Sequence, residues 1–175
     1  MSHNIQVLIR EEDVRERIRE MADVISARYE GREVLLIGIL NGSVFFLTEL
    51  AQKLSIPTEI DFMQASSYGN STESSGNVVV TKDLDRSLRG KHVLVVEDII
   101  DTGRTLKVLT KMLLEMEPES LEVVTLLDKP DRRVVEFEAD YTGFRIPDVF
   151  VVGWGLDFDQ KYRDLSFIGV LDESK

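Results

Sequence analysis

Apolar positions in the first third of the chain switch between helical spacing and short continuous runs. Residues 11–29 carry apolar side chains at helical spacing, which predicts an amphipathic helix that Gly31 can end. Residues 33–39 form a continuous apolar run, which is typical of a strand buried on both faces. A short polar link at residues 41–43 then leads into a second predicted helix, and residues 58–63 predict another strand. The apolar positions of that second helix are Phe46, Leu47, Leu50, Ala51 and Leu54.

The segment 92–127 repeats the order strand, helix and strand more clearly. Residues 92–96 predict a buried strand, residues 101–105 a polar turn, and residues 121–127 a further strand, with Pro118 ending the helix between them. The apolar face of that helix carries Leu106, Leu109, Met112, Leu113 and Met116. Because a strand–helix–strand unit requires a parallel pair with a right-handed crossover, two such units predict an open parallel α/β sheet. Residues 149–152 and 167–171 are strand-like.

Residues 65–76 differ from the rest of the chain in composition, since they contain no Val, Ile or Leu. A loop of this length without apolar anchors is often a lid or a binding loop. A short strand is predicted on its far side, at residues 78–81. Together they predict a mobile hairpin.

Composition narrows the classes of function. The chain has 175 residues, which predicts one domain, 1–175, and its 43% hydrophobic and 30% charged residues are ordinary for a globular protein. No run is long enough to span a membrane and residues 1–10 show no export signal, so a cytoplasmic location is expected. The absence of cysteine and the presence of only two histidines leave thiol chemistry and multi-histidine metal sites poorly supplied. A net charge of −11 argues against a nucleic-acid partner.

Candidate chemistry concentrates after the strand at 92–96. Glu97 and Asp98 lie at its expected carboxyl end, where an open α/β sheet places its ligands, and adjacent acids are good acceptors for two ribose hydroxyls. The turn that follows would present free backbone N–H groups at a helix N-terminus, which suits a terminal phosphate. Taken singly, Asp101 is also compatible with a helix cap, and the two acids with solvated strand-end residues. The residues of the turn are Asp101, Thr102, Gly103, Arg104 and Thr105.

The run VVEDIIDTGRT resembles the phosphoribosyl diphosphate-binding motif of the type I phosphoribosyltransferases. Nearly the whole chain is similar to the hypoxanthine–guanine phosphoribosyltransferase family, in order and spacing as well as content. The supporting segments are residues 39–43, 61–62, 66–69, 126–130, 146–148, 150–157 and 162–165. The resemblance implies an α/β fold with an open, mostly parallel sheet flanked by helices, a small hood formed by the terminal segments, and a mobile hairpin lid. It also implies a Mg²⁺ cofactor.

The same resemblance implies roles for the central residues. Glu97 and Asp98 would hold the 2′- and 3′-hydroxyls of the ribose, and residues 101–105 the 5′-phosphate. Asp101 would face the purine N7 as acid and base. Lys129 would donate to the purine O6, which a donor-only side chain can satisfy while the amino group of adenine cannot accept it. From the sequence alone, a solvated lysine at a strand end is the favoured interpretation of Lys129, and the resemblance reverses this.

Further roles follow by resemblance for residues outside the motif. In the purine site, Phe150 would stack on the base, the backbone of Val151 would bond its edge, and Asp157 would lie nearby. Asp157 would also join Glu97 and Asp98 in binding Mg²⁺, through water, with Asp159 as the alternative in the same stretch. Arg163 would meet the pyrophosphate, although a surface arginine is the competing interpretation.

Two loops complete the implied site. Leu40, Asn41 and Gly42 match a pyrophosphate loop that binds through backbone amides and has a non-proline cis peptide, here Leu40–Asn41. Some family members carry Lys or Arg where this chain has Asn41, so one positive charge is lost here. Ser67 and Tyr68 match the mobile lid.

The implied activity joins hypoxanthine or guanine to phosphoribosyl diphosphate, giving the 5′-monophosphate and pyrophosphate, in a homo-oligomer of two or four chains. One rival is the same chemistry with another base, such as xanthine. A second rival is a regulator of this fold that senses nucleotides and binds RNA, which the charge of −11 and the full set of acidic and basic residues disfavour. Retention of RNA at low salt would separate this regulator from the enzyme.

Overall fold

Nine strands and three helices make up the part of the chain that the computed structural model describes, residues 4–67 and 77–172. The helices are α1 (Glu11–Arg28), α2 (Val44–Lys53) and α3 (Arg104–Leu114), with a short 3₁₀ turn at Pro130–Arg132. The strands are β1 (Asn4–Ile9), β2 (Val34–Ile39), β3 (Thr58–Ser67), β4 (Val78–Lys82), β5 (His92–Ile100), β6 (Ser120–Asp128), β7 (Tyr141–Arg145), β8 (Val151–Val152) and β9 (Ile168–Asp172). Among the helices in those two ranges, none is both long and apolar enough to cross a bilayer.

The main sheet has six strands in the order β4-β3-β2-β5-β6-β7. All its pairs are parallel except β3–β4, which is antiparallel at one edge. The predicted open, mostly parallel sheet is therefore confirmed. Because the chain runs from β2 to β3 on one side and from β5 to β6 on the other, the strand order reverses direction between β2 and β5. In open α/β sheets ligands bind at such a switch point.

Helices cover both faces of this sheet. Leu36 of β2 and Leu94 of β5 pack with α1 and α2, while their neighbours Leu35 and Val93 pack with α3 on the opposite face. Every residue of β2 is buried, as its continuous apolar run predicted. The two faces thus give two hydrophobic cores, separated by the sheet.

A second, three-stranded sheet in the order β1-β9-β8 joins the two ends of the chain and forms the hood that the resemblance implied. Trp154 follows β8 directly and lies in the core cluster that includes α1, where the guanidinium of Arg15 is 5.4 Å from the centre of its ring. Its indole Nε1 donates to the carbonyl of Ser166, just before β9, at 2.5 Å. The hood is therefore held to α1 by packing and by a cation–π contact.

Several predicted bounds were wrong. Strands β1 and β7 were not predicted, and the tail strand expected at 149–152 is only Val151–Val152. The helix after the polar turn ends at Leu114, so Met116 lies beyond it, and Met112 is exposed. Strand β5 continues to Ile100, because β6 still pairs with it there. The arms of the predicted hairpin, β3 and β4, are present, but residues 68–76, including Tyr68, lie outside the described residues.

A matched pair of substitutions on α1 tests the core. Val14 is fully buried and Val24 is 58% exposed on the same helix. We expect Val14→Ala to lower the free energy of unfolding by about 2 kcal/mol, since two methyl groups lose their burial and leave a cavity. Val24→Ala should change it by less than about 0.5 kcal/mol. The gain in helix propensity is common to both variants, so the difference between their unfolding free energies, measured by urea denaturation, reports the effect of burial. Equal losses would contradict this packing.

Candidate active site

The candidate site lies where β2 and β5 diverge. Pairing between these strands ends at Gly38 and Val96, whereas β6 follows β5 to Ile100. The side of β5 that faced β2 is thereby opened beyond Val96, and a cavity of about 240 Å³ lies there. It is lined by Ile39, Leu40, Gly42, Ala65, Glu97, Asp98, Ile99, Ile100, Asp101, Thr102, Gly103, Thr105 and Leu106.

Glu97 and Asp98 lie inside β5 rather than beyond its end. Glu97 is only 9% exposed, and its Oε1 accepts from the backbone N–H of Asp98 at 3.0 Å. Burial, and then the neighbouring Asp98 charge, raise the pKa of Glu97 well above its usual range. Burial likewise raises the pKa of Asp98. The interpretation of these acids as solvated strand-end residues was wrong.

The loop between β5 and α3, residues 101–105, is called the phosphate loop below. Gly103 occupies the N-cap position of α3 with φ of 83°, a left-handed conformation that favours glycine, and it has no side chain to cap the helix. The first helical bond runs from Lys107 N–H to the Gly103 carbonyl. Asp101 is therefore not a helix cap, and that interpretation was wrong; its carboxylate instead pairs with Arg132 at 3.0 Å.

The loop at residues 40–42 closes the opposite side of the cavity. The Leu40–Asn41 peptide is cis, as the resemblance implied. A Cβ at Gly42 would lie 1.7 Å from Oδ2 of Asp98, and one at Gly155 would lie 1.9 Å from the Gly42 carbonyl oxygen. Glycine at both positions lets this loop fit between the acids of β5 and the hood.

The hood brings Arg163 to this loop. Its Nη1 donates to the Gly155 carbonyl at 2.6 Å, and its Nη2 lies 3.2 Å from Asp157. Burial raises the pKa of Asp98, and the positive charge of Arg163 acts in the opposite direction. Arg163 is therefore engaged within the site, and its interpretation as a surface arginine was wrong.

The residues expected to read the base come from β6 and the hood. Lys129 is 8% exposed, so the interpretation as a solvated lysine was wrong. The backbone N–H of Lys129 donates to the Ile100 carbonyl at 2.9 Å, which places this residue beside the phosphate loop. The side-chain Nζ is 3.9 Å from Asp148. The Phe150 ring is exposed and meets Phe158 edge-on at 5.7 Å. Val151 is buried in β8.

The three acids expected to bind a metal are not brought together as one set. Within residues 4–67 and 77–172, no group of three or more metal-ligating His, Asp or Glu side chains occurs. Glu97 and Asp98 line the cavity, while Asp157 accepts from the Gln160 N–H at 2.9 Å and pairs with Arg163.

Sequence reasoning missed four charged residues around the phosphate loop: Asp128, Arg132, Arg133 and Asp148. Arg132 contacts Asp101, and Asp148 lies 3.9 Å from both Lys129 and Arg132. Arg132 and Arg133 contact Asp101 of the loop across 31 and 32 residues of sequence, so no local pattern marks them. The charged run DKPDRR was the one available signal.

Comparison with known proteins identifies the family of this chain. A family model for the phosphoribosyl transferase domain matches residues 10–160, and the chain belongs to this family. It is 49% identical over 166 residues to the hypoxanthine-guanine phosphoribosyltransferase of Lactococcus lactis, covering 95% of this chain and 90% of that protein. It is also 49% identical over 172 residues to the bifunctional protein TilS/HprT of Listeria monocytogenes. That match covers 98% of this chain, which spans only 26% of that relative's length.

Solved structures give the same answer. The crystal structure of a hypoxanthine phosphoribosyltransferase from Staphylococcus aureus superposes with a TM-score of 0.93 at 46% identity, covering 95% of this chain and 91% of that one. A hypoxanthine-guanine phosphoribosyltransferase from Bacillus anthracis gives 0.93 at 44% identity, covering 98% and 100%. The predicted fold of the type I phosphoribosyltransferases is confirmed.

The burial of Glu97 beside Asp98 should lower the stability of the fold at neutral pH. Since the folded protein holds the Glu97 proton more tightly than the unfolded chain does, stability falls as pH rises from the usual glutamate range through the raised pKa. We expect Glu97→Gln, measured without Mg²⁺ or substrate, to be more stable than the parent at pH 7. The difference should vanish below about pH 4. Urea denaturation at both pH values decides, and equal stability at pH 7 would contradict the burial of a charged Glu97.

Proposed function

We propose that this protein transfers the phosphoribosyl group of phosphoribosyl diphosphate to hypoxanthine or guanine, giving IMP or GMP and pyrophosphate. One observation carries the proposal: the divergence of β2 and β5 puts the adjacent carboxylates of buried Glu97 and half-buried Asp98 and a helix N-terminus on one cavity, with buried Lys129 beside it. The names of the relatives support the same activity.

The phosphoribosyl end of the substrate would lie along β5. The N–H groups of the phosphate loop and the hydroxyls of Thr102 and Thr105 would bind the 5′-phosphate, because the N-cap residue Gly103 has no side chain to accept from the first N–H groups of α3. Glu97 and Asp98 would accept from the two ribose hydroxyls. The pyrophosphate would then meet the loop at residues 40–42 and Arg163, whose planar guanidinium matches phosphate oxygens.

Asp101 would serve as acid and base. In the reaction the bond from ribose C1 to pyrophosphate breaks and the bond from C1 to purine N9 forms, so the purine must lose a ring proton. A carboxylate beside N7 can take that proton. Asp101 is close to half exposed in its pair with Arg132, so its carboxylate is accessible from the cavity it lines.

Lys129 would set the choice of base. A buried, donor-only ammonium satisfies the 6-oxo group of hypoxanthine or guanine and leaves the 6-amino group of adenine without an acceptor. Phe150 would offer its exposed ring to the purine face, and the backbone of Val151 would bond the purine edge. These contacts do not by themselves reject xanthine, which has the same 6-oxo group.

The donor set of the site fits Mg²⁺. This ion keeps several waters and uses one or two carboxylates together with substrate oxygens. Glu97 and Asp98 on the cavity, and Asp157 through water, would supply the carboxylates. Burial raises the pKa of both adjacent acids, so a bound cation would favour their charged forms. When bound, Mg²⁺ would neutralise charge on the leaving pyrophosphate. Because Asn41 carries no charge, Arg163 and the metal would bear more of that task.

Assembly and location are further parts of the proposal. The resemblance to the family implies a homo-oligomer of two or four chains. A cytoplasmic location would give the enzyme access to phosphoribosyl diphosphate and Mg²⁺.

Replacing Asp101 tests the acid–base assignment. Asp101→Asn should leave the phosphate loop intact, because Gly103 and not Asp101 begins α3. We expect turnover with hypoxanthine to fall about 10²-fold or more, with near-normal binding of phosphoribosyl diphosphate by calorimetry. The exposed neighbour Asp131 provides a control, since Asp131→Asn should keep normal turnover. Normal turnover in the Asp101 variant would remove its catalytic role.

Replacing Lys129 tests the choice of base. Lys129→Gln should lower kcat/KM for hypoxanthine by about tenfold, because a charged hydrogen bond worth about 1.5–3 kcal/mol becomes a neutral one. It should also narrow the gap to adenine, since the glutamine carbonyl can accept from an amino group. The measurement is the ratio of kcat/KM for hypoxanthine over adenine, with Lys107→Gln on the exposed side of α3 as the control. A ratio unchanged from the parent would refute the O6 contact.

A further inference from the structure

The guanidinium of Arg133 joins three parts of the chain that meet at the phosphate loop. Its Nη1 donates to the carbonyl oxygen of Asp101 at 2.7 Å, and its Nε donates to the Phe137 carbonyl at 2.9 Å. Its Nη2 donates to Oδ1 of Asp128, the last residue of β6. One side chain therefore ties the end of β6 and the segment after it to the residue that would act as acid and base.

We propose that Arg133 is a positioning residue that holds the phosphate loop in its binding conformation. This inference rests on the proposed function, since it assigns Arg133 to the binding of phosphoribosyl diphosphate. Arg133 acts through the backbone of the loop and not by touching the substrate.

Burial and packing support this role. The Arg133 side chain is 15% exposed and that of Asp128 is 9% exposed, so the contact is not a mobile surface ion pair. A Cβ on Gly103 would lie 2.9 Å from Cδ of Arg133, which shows how closely the aliphatic stem packs against the loop. The next residue, Val134, adds a hydrogen bond from its N–H to the Thr102 carbonyl at 3.1 Å.

The phosphate loop needs such a support. Its binding groups are backbone N–H groups, so their direction depends on the peptide planes of residues 101–105. Because the Asp101 carbonyl is held by Arg133, the orientation of the peptide plane that follows Asp101 is fixed. A misplacement of about 1 Å at a reacting centre can cost about 10²-fold in rate, so a fixed loop matters to both binding and turnover.

The shape of the guanidinium distinguishes this role from simple charge neutralisation. Arginine presents five N–H donors in a rigid planar fork, whereas lysine is a flexible point charge. Lysine at position 133 would still neutralise Asp128 but could not also serve the Asp101 and Phe137 carbonyls in one plane. A variant with lysine therefore keeps the ion pair and removes the support of the loop.

The test compares Arg133→Lys with Arg145→Lys. Arg145 faces the same carboxylate, 3.8 Å from Oδ2 of Asp128, but its side chain is 68% exposed and it lies on β7 rather than against the loop. For Arg133→Lys we expect a thermal midpoint near that of the parent, a Kd for phosphoribosyl diphosphate raised about tenfold or more by calorimetry, and a lower kcat. Arg145→Lys should match the parent in all three. Normal binding and kcat in Arg133→Lys would overturn the proposal.

A second variant guards against loss of folding. Arg133→Ala combined with Asp128→Asn removes both charges together, so no buried carboxylate is left without its cation. It should bind phosphoribosyl diphosphate as weakly as Arg133→Lys. Guanidinium ion at millimolar concentration should restore part of that binding, and methylammonium should not. Equal rescue by both cations, or tight binding without rescue, would reduce Arg133 to a structural ion pair.

The two proposals fail separately. If the parent protein binds phosphoribosyl diphosphate but forms no nucleotide with hypoxanthine or guanine, the proposed function is wrong, while the calorimetric comparison still decides the role of Arg133. If the parent is active and Arg133→Lys binds as tightly as the parent, the function stands and the positioning role is wrong.

Discussion

The divergence of β2 and β5 is the constraint on which the site depends. Up to Gly38 and Val96 the two strands pair through backbone hydrogen bonds, and beyond that point only β6 continues to pair with β5. At the opened edge, Glu97 is buried and Asp98 half-buried, and both line a cavity of about 240 Å³. Burial raises the pKa of both acids, so their charged forms are disfavoured without a ligand, and the cavity beside them has room for one.

The walls of the cavity follow from that requirement. Gly42 approaches Asp98 so closely that no side chain fits between them, and Gly155 of the hood does the same to Gly42. On the other side, Gly103 begins α3 in a left-handed conformation and Arg133 holds the preceding carbonyl. The loop at residues 40–42 and the phosphate loop thus both lie against the end of β5, and the hood packs against the loop at residues 40–42.

Local pattern was enough for the parts of the molecule whose structure is decided locally. The helical spacing of α1, the apolar run of β2, and the order strand, turn, helix and strand at 92–127 predicted the parallel sheet, and the VVEDIIDTGRT motif located the cavity. Strand β1 was missed because its side chains are mostly exposed, so its stability comes from pairing with β9 at the other end of the chain. Asp101 was wrongly allowed as a cap because nothing local shows that α3 begins at Gly103. Arg133 was missed because its partners are 4 to 32 residues away and are set by the tertiary fold.

The central claim is that this cavity joins a 6-oxopurine to phosphoribosyl diphosphate. The most direct measurement incubates the protein with phosphoribosyl diphosphate, Mg²⁺ and one of four bases, hypoxanthine, guanine, xanthine or adenine, and detects the nucleotide by chromatography. The structure predicts IMP from hypoxanthine or GMP from guanine, each with an equal amount of pyrophosphate, and far slower product formation from adenine. Adenine used as well as hypoxanthine, or no nucleotide from either hypoxanthine or guanine, would contradict the account.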